Sequence, residues 1–193
     1  MTEHEIIFTG IGGQGIQLMA KVLAQAAAEE GRHAMLFGLY GGAMRGSPSE
    51  STLVIGDEPI QAPPIVPHCW SLVAMHPRSL PALLPKLRPG GTLFANATLV
   101  DTPSPEGVAR VEIPATRLAE QAGNLMGAGM IMLGGFVAHT RAIALASVIA
   151  AMRASLPPHR SRMADTNAAL LERGAAWIAE ATASPPTDVA GAG

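Results

Sequence analysis

The stretch Gly10-Ile11-Gly12-Gly13-Gln14-Gly15 constrains this chain more than any other. Before it, Glu5 to Thr9 is a short apolar run that reads as a buried strand. After it, Ile16 to Glu30 reads as a helix. Gln17, Lys21, Gln25 and Glu29 form a narrow polar stripe, with Ile16, Met19, Ala20, Leu23 and Ala27 opposite. A strand that turns at once into a helix needs a tight corner. Gly10 and Gly12 permit that corner, and Gly15 lets the helix pack on the strand. Gly31 stops the helix, and His33 to Phe37 is a second apolar run. The chain therefore opens as a βαβ unit whose glycine loop sits at the positive end of a helix.

The rest of the chain extends this pattern. Residues 39–51, LYGGAMRGSPSES, predict an ordered loop. Ser51–Ile55, Trp70–Met75 and Gly91–Ala97 read as strands. Val108–Ile113 alternates apolar and charged residues, as an edge strand does. Gly56 to Pro59 is a turn, residues 61–67 (QAPPIVP) are extended, and Ser79–Leu87 is a short proline-marked helix. Asn124–His139, Ile143–Leu156 and Asp165–Ala181 predict helices, with Pro157-Pro158 between the last two. The expectation is an α/β fold with a mostly parallel sheet flanked by helices and a helical C-terminal third. It is one domain over residues 1–182, with a loose tail over 183–193.

Composition narrows the function classes. Apolar residues make up 48% of the chain and charged residues 15%, which is globular and not disordered. Aromatics are 4% and net charge is −2, so neither a base-stacking surface nor an electrostatic footprint for nucleic acid is present. The low charge also predicts apolar surface that partner subunits cover. A single cysteine, Cys69, makes no internal disulfide and cannot ligate an iron–sulfur cluster, which takes several. The acidic opening MTEHEIIFTG lacks the basic start of a signal peptide, and every apolar run is broken before it could span a bilayer. The expected location is the cytoplasm.

The three glycines match the dinucleotide fingerprint, but that site also needs an acid after the second strand to grip the ribose. Residues 37–40 (FGLY) hold no carboxylate, Glu29 and Glu30 come too early, and no arginine for a phosphorylated ribose appears before Arg45. A purely structural turn or a different ligand both remain open. Cys69, with His68 and His76 nearby, fits no closed zinc pattern and reads as a small apolar filler. His139 ends an apolar helix, a position that favours positive charge. Gly129, Gly134 and Gly135 in the methionine-rich run GAGMIMLGG predict close helix packing. No catalytic residue and no metal ligand is assigned.

Three stretches together resemble one family: FTGIGGQGIQLMAKVLAQAA (8–27), YGGAMRGSPSESTLVIGDEPI (40–60) and NLMGAGMIMLGGFVA (124–138). They are similar to the gamma subunit, or gamma domain, of thiamine-diphosphate-dependent 2-oxoacid:ferredoxin oxidoreductases. The resemblance runs from Glu5 to about Gly174. It implies a Rossmann-like domain within a complex that oxidatively decarboxylates a 2-oxoacid to an acyl-coenzyme A. Thiamine diphosphate, Mg and iron–sulfur clusters belong to partner subunits, and this chain holds no cofactor alone. Its implied partners are alpha and beta subunits, with a ferredoxin-like delta subunit as an open addition, and coenzyme A at its edge. The cofactor-binding candidates are Gly12, Gly13, Gln14, Gly15, Tyr40, Gly41, Arg45, Gly46 and Ser47, a two-loop edge facing coenzyme A or a partner subunit, with Arg45 toward a coenzyme A phosphate or a partner's carboxylate. One departure is that Ser47 follows Gly46 where the family has a second glycine. The alternatives are a free-standing NAD(P)-dependent oxidoreductase and a nucleotide- or coenzyme A-binding module outside any complex.

Overall fold

Six strands form one sheet in the order β2-β3-β1-β4-β5-β6 in a computed structural model that describes residues 3–40, 46–61, 66–157 and 162–183. The strands are β1 (His4–Ile11), β2 (His33–Tyr40), β3 (Pro48–Gly56), β4 (Cys69–Ala74), β5 (Leu87–Asn96) and β6 (Ala109–Ile113). β1, β4, β5 and β6 pair in parallel, while β3 is antiparallel to both β1 and β2. The sheet is thus mostly parallel, with one reversed strand.

That reversal corrects the opening βαβ reading. β1 and β2 do point the same way, but β3 lies between them. The chain crosses over through α1 (Ile16–Glu29), skips one position, and fills the gap with a hairpin return. The hairpin lengthens both strands into what composition alone reads as loop: Tyr40 pairs with Ser49, and Pro48 pairs with Ile11. Residues 41–45 of the expected loop lie outside the described residues, as do 62–65 of the expected extended segment, Pro158, and 184–193 of the expected tail.

The helices are α1, α2 (Leu80–Leu83), α3 (Ala115–Gln121), α4 (Ala128–Thr140), α5 (Leu145–Ser155) and α6 (Arg162–Ala183). Single 3-10 turns flank α2 on both sides and precede α4 at Leu125–Gly127. α1 buries the stripe opposite its polar residues, including Ile16, Met19, Ala20, Leu23 and Ala27. It ends in a glycine cap: the Arg32 amide reaches the Ala27 carbonyl and the Gly31 amide the Ala28 carbonyl, with Gly31 at φ 80°.

Alternation along the strands separates two cores. Ile6, Phe8, Val73, Phe94 and Ile113 face α1, α4, α5 and α6, where Phe94 and Phe136 meet edge to face at 4.8 Å. Ile7, Val54, Leu72, Leu93 and Ala95 face the thinner side, closed by Leu80, Leu83, Val66 and Val100. Both sheet faces are apolar, so the strands read as continuous apolar runs. The edge strand β6 sits where its alternation places it. The other edge, β2, leaves Leu36 40% exposed.

The glycines of the methionine-rich run do what close packing requires. α4 is buried from Ala128 to Val137. A Cβ on Gly134 would overlap the Leu171 carbonyl oxygen, and one on Gly129 would lie 2.9 Å from the Gln14 oxygen. Cys69 is fully buried, and burial pushes its thiol up to about 12. It is the apolar filler the sequence implies.

Candidate functional site

The C-terminal ends of β1 and β3's partner strands converge on one corner of the sheet, and the glycine loop is built there by side-chain clips. Gln14 folds back over the loop: its Oε1 accepts the Ile11 amide at 2.9 Å, and its Nε2 donates to the Met75 carbonyl at 3.3 Å. Gly10 makes room for this fold, since a Cβ there would lie 2.6 Å from Gln14 Oε1 and 2.8 Å from Ile16 Cδ1. Gly13 at φ 101° and Gly15 at φ 76° take the left-handed backbone that lets the chain enter α1 within two residues.

Ser47 is tied to this loop. The Gly12 amide donates to the Ser47 carbonyl at 2.9 Å, and the Arg78 guanidinium donates to the Gly46 carbonyl at 2.9 Å. On the helix side, Gln17 Nε2 donates to the Glu50 carbonyl at 2.9 Å. Gly38 on β2 is bare beneath that side chain, for a Cβ there would overlap Gln17 Oε1. The start of β3 and the glycine loop are therefore joined by hydrogen bonds at both ends of the loop. Of the residues the sequence assigns, Gly12, Gly13, Gln14, Gly15, Gly46 and Ser47 come together here. Tyr40 joins through its backbone pairing with Ser49, while Gly41 and Arg45 lie outside the described residues.

Two cavities flank the glycine loop. One, about 320 Å³, is lined by Ile11, Gly12, Gly13, Gly15, Gln17 and Ser49 among others. The other, about 190 Å³, opens between the loop, the turn before α4, and α6. The amides of the first turn of α1 have no intrahelical acceptor and face this region with the positive end of the helix dipole. α1 carries no acidic residue in its first turn and no side-chain cap on that end. The chemistry on offer is anion binding by backbone amides.

The same surroundings do not suit a metal or a cluster. Among the described residues no three His, Cys, Asp or Glu side chains gather, and the Cys69 thiol is held in its protonated form by burial. A groove of about 520 Å³ at the β6 edge holds His139 and Trp177, remote in the fold from the loop. There the expected positive charge on His139 loses to desolvation, which pulls its pKa below 6.5. Its ring sits against Phe94 at 5.3 Å instead. Sequence reasoning missed Ser49, Asn124 and Asn167, which line the two cavities. Ser49 and Asn124 lie inside the family-like stretches without being singled out there, Asn167 lies outside them, and only the fold brings the three to the loop.

The chain has clear relatives. A family model for pyruvate ferredoxin/flavodoxin oxidoreductase matches residues 5–177. The ketoisovalerate oxidoreductase subunit VorA of Methanothermobacter marburgensis is 31% identical over 177 residues, 91% of this chain and 36% of VorA. The 2-oxoglutarate synthase subunit KorC of the same organism is 33% identical over 162 residues, 80% of this chain and 87% of KorC. The chain thus spans about a third of VorA and most of KorC. A solved gamma subunit of a keto/oxoacid ferredoxin oxidoreductase from Geobacter sulfurreducens shares the fold with a TM-score of 0.77 at 24% identity, covering 92% of this chain and 99% of that one.

Proposed function

Because this chain belongs to the pyruvate ferredoxin/flavodoxin oxidoreductase family, we propose that it is the gamma-type subunit of a cytoplasmic 2-oxoacid oxidoreductase complex. The complex oxidatively decarboxylates a 2-oxoacid, transfers the acyl group to coenzyme A, and passes electrons to ferredoxin or a related carrier. The observation that carries this reading is the family match over residues 5–177, joined by 33% identity to KorC over 162 residues. Alpha and beta subunits are its partners, with a ferredoxin-like delta subunit as a further one. Thiamine diphosphate with Mg in those partners supplies the carbanion-stabilising chemistry, and their clusters carry the electrons.

This chain's own contribution is the coenzyme A edge. The Gly12–Ser47 hydrogen bond supports treating the two loops as one surface. The uncapped α1 terminus supports a phosphate there, held by the amides after Gln14 and Gly15. Tyr40, Gly41, Arg45 and Gly46 complete the edge, with Arg45 as the counter-charge. The nicotinamide alternative is weakened further by the topology. With β3 between β1 and β2, the end of β2 stands one strand farther from the glycine loop than a dinucleotide's ribose requires.

Purification through a tag on this chain tests the assembly: thiamine-diphosphate-binding partners and cluster colour should co-purify. A chain that elutes alone and binds NAD sinks the reading. In the complex, Arg45→Ala should lower coenzyme A-dependent turnover more than initial decarboxylation. Equal loss of both would reduce the edge to an assembly contact.

A further inference from the structure

The glycine loop stands where two neighbouring strands send the chain to opposite faces of the sheet. β1 and β4 are adjacent and parallel, with Phe8 beside Val73 and Thr9 beside Ala74. β1 leads into α1, whose buried side chains join the core shared with α4, α5 and α6. β4 leads into α2, whose Leu80 and Leu83 close the other core. In open α/β sheets such a switch point is where a crevice forms outside the strand ends. One lip here is the glycine loop. The other is the turn Pro77–Ser79 with His76 before it. The Met75 amide ties the two by donating to the Thr9 carbonyl at 2.8 Å.

Arg78 reaches across from the second lip. Its Nη1 donates to the Gly46 carbonyl at 2.9 Å, while the Gly12 amide donates to the next carbonyl, that of Ser47, at 2.9 Å. Two consecutive carbonyls of the chain entering β3 are thus held from opposite lips. Gly46 sits at φ 89°, in the left-handed region open to glycine, so its own backbone preference does not fix the turn. Arg78 is itself pinned at the backbone: its amide donates to His76 Nδ1 at 3.2 Å, and Pro77 stiffens the residue before it. A charged donor bonds a carbonyl more strongly than a neutral one does. Arg78 is exposed, so core packing does not account for it. We infer that Arg78 is a positioning residue for coenzyme A binding: by holding the Gly46 carbonyl it sets Gly46 and Ser47 against the glycine loop before the ligand arrives. A segment held in advance costs less to order on binding, so the effect belongs in affinity and not in the chemical step.

This inference rests on the coenzyme A reading and is separable from it. Steady-state kinetics on the complex recovered through this chain should show Arg78→Met raising the KM for coenzyme A about tenfold, with kcat and the KM for the 2-oxoacid within about twofold of wild type. Arg78→Lys, which keeps a charged donor, should recover part of the loss. Gly46→Ala disturbs the same carbonyl from its own backbone, so adding Arg78→Met to it should raise the KM little further. If the two effects instead multiply in full, Arg78 touches the ligand directly and the positioning role is wrong. If Arg78→Met changes nothing, or weakens subunit assembly and the 2-oxoacid KM alike, the role is also wrong while the coenzyme A edge stands. If the wild-type complex does not consume coenzyme A, both fall.

Discussion

Gly135 of α4 and Gly174 of α6 put two helix backbones in direct contact: a Cβ on Gly174 would lie 2.9 Å from the Gly135 nitrogen, and one on Gly135 would lie 3.3 Å from the Gly174 oxygen. Two effects compete at such a site. Alanine gains about 1 kcal/mol of helix propensity over glycine. Against it, the Gly174 methyl would overlap the Ile131 carbonyl, which is backbone and cannot swing aside. Overpacking costs about 1–3 kcal/mol and more where nothing yields. Gly174→Ala and Gly134→Ala should each destabilise the chain by about 2 kcal/mol in urea unfolding followed by circular dichroism. A raised midpoint would mean that the helices are not in contact there.

Gln14 spans the glycine loop with one acceptor and one donor. Gln14→Ala strands the Ile11 amide, at about 1–2 kcal/mol, while the Met75 carbonyl keeps its bond from Asn96 Nδ2. Gln14→Glu retains the acceptor and loses the donor, so its thermal midpoint should fall between wild type and alanine. An alanine variant as stable as wild type would show that the clip does not hold the loop.

Acid should weaken the fold through two histidines. Burial pulls His4 below its ordinary 6.5, opposed by Glu5 and reinforced by Arg32, and its Nε2 lies 3.0 Å from Ser71 Oγ. Burial lowers His139 as well. Both rings are neutral in the folded chain, while the unfolded chain takes up protons near 6.5. The stabilising contribution is therefore full above that pH and is lost as pH falls toward the lower folded values. Denaturant titrations across this window should show the loss, and His4→Gln should flatten it more than His139→Gln, whose ring is the more exposed. A slope that neither variant changes would assign the acid sensitivity elsewhere.

Cys69 should be chemically silent while the chain is folded. Its thiol is fully buried and held up to about 12, so thiolate is scarce at neutral pH. Iodoacetamide at about pH 8 should label it only in denaturant. Rapid native labelling would contradict its burial.

What the sequence reveals and what it hides divide along physical lines. The β1–loop–α1 unit is legible because glycine spacing and a four-residue polar stripe are local signals. The position of β3 is not, because strand order depends on pairing between residues far apart in sequence, such as His4 with Ile55. His33 to Phe37 reads as an apolar run, and its apolar residues do not reveal that β2 is an edge. α3 escapes notice because it is seven residues long and its cap, Pro114, accepts no side-chain bond. At the site, the glycines and Ser47 are found by motif and resemblance. Ser49, Asn124 and Asn167 need the fold.

The β2–β3 hairpin behaves as a cartridge. Its walls are fixed by Tyr40 against Ser49 on one side and by Pro48 against Ile11 on the other. A change at Ser47 between those walls alters what meets the Gly12 amide, while the register of the sheet stays as it is. The seat of the glycine loop is therefore set by sheet register, at a distance in sequence from the loop itself.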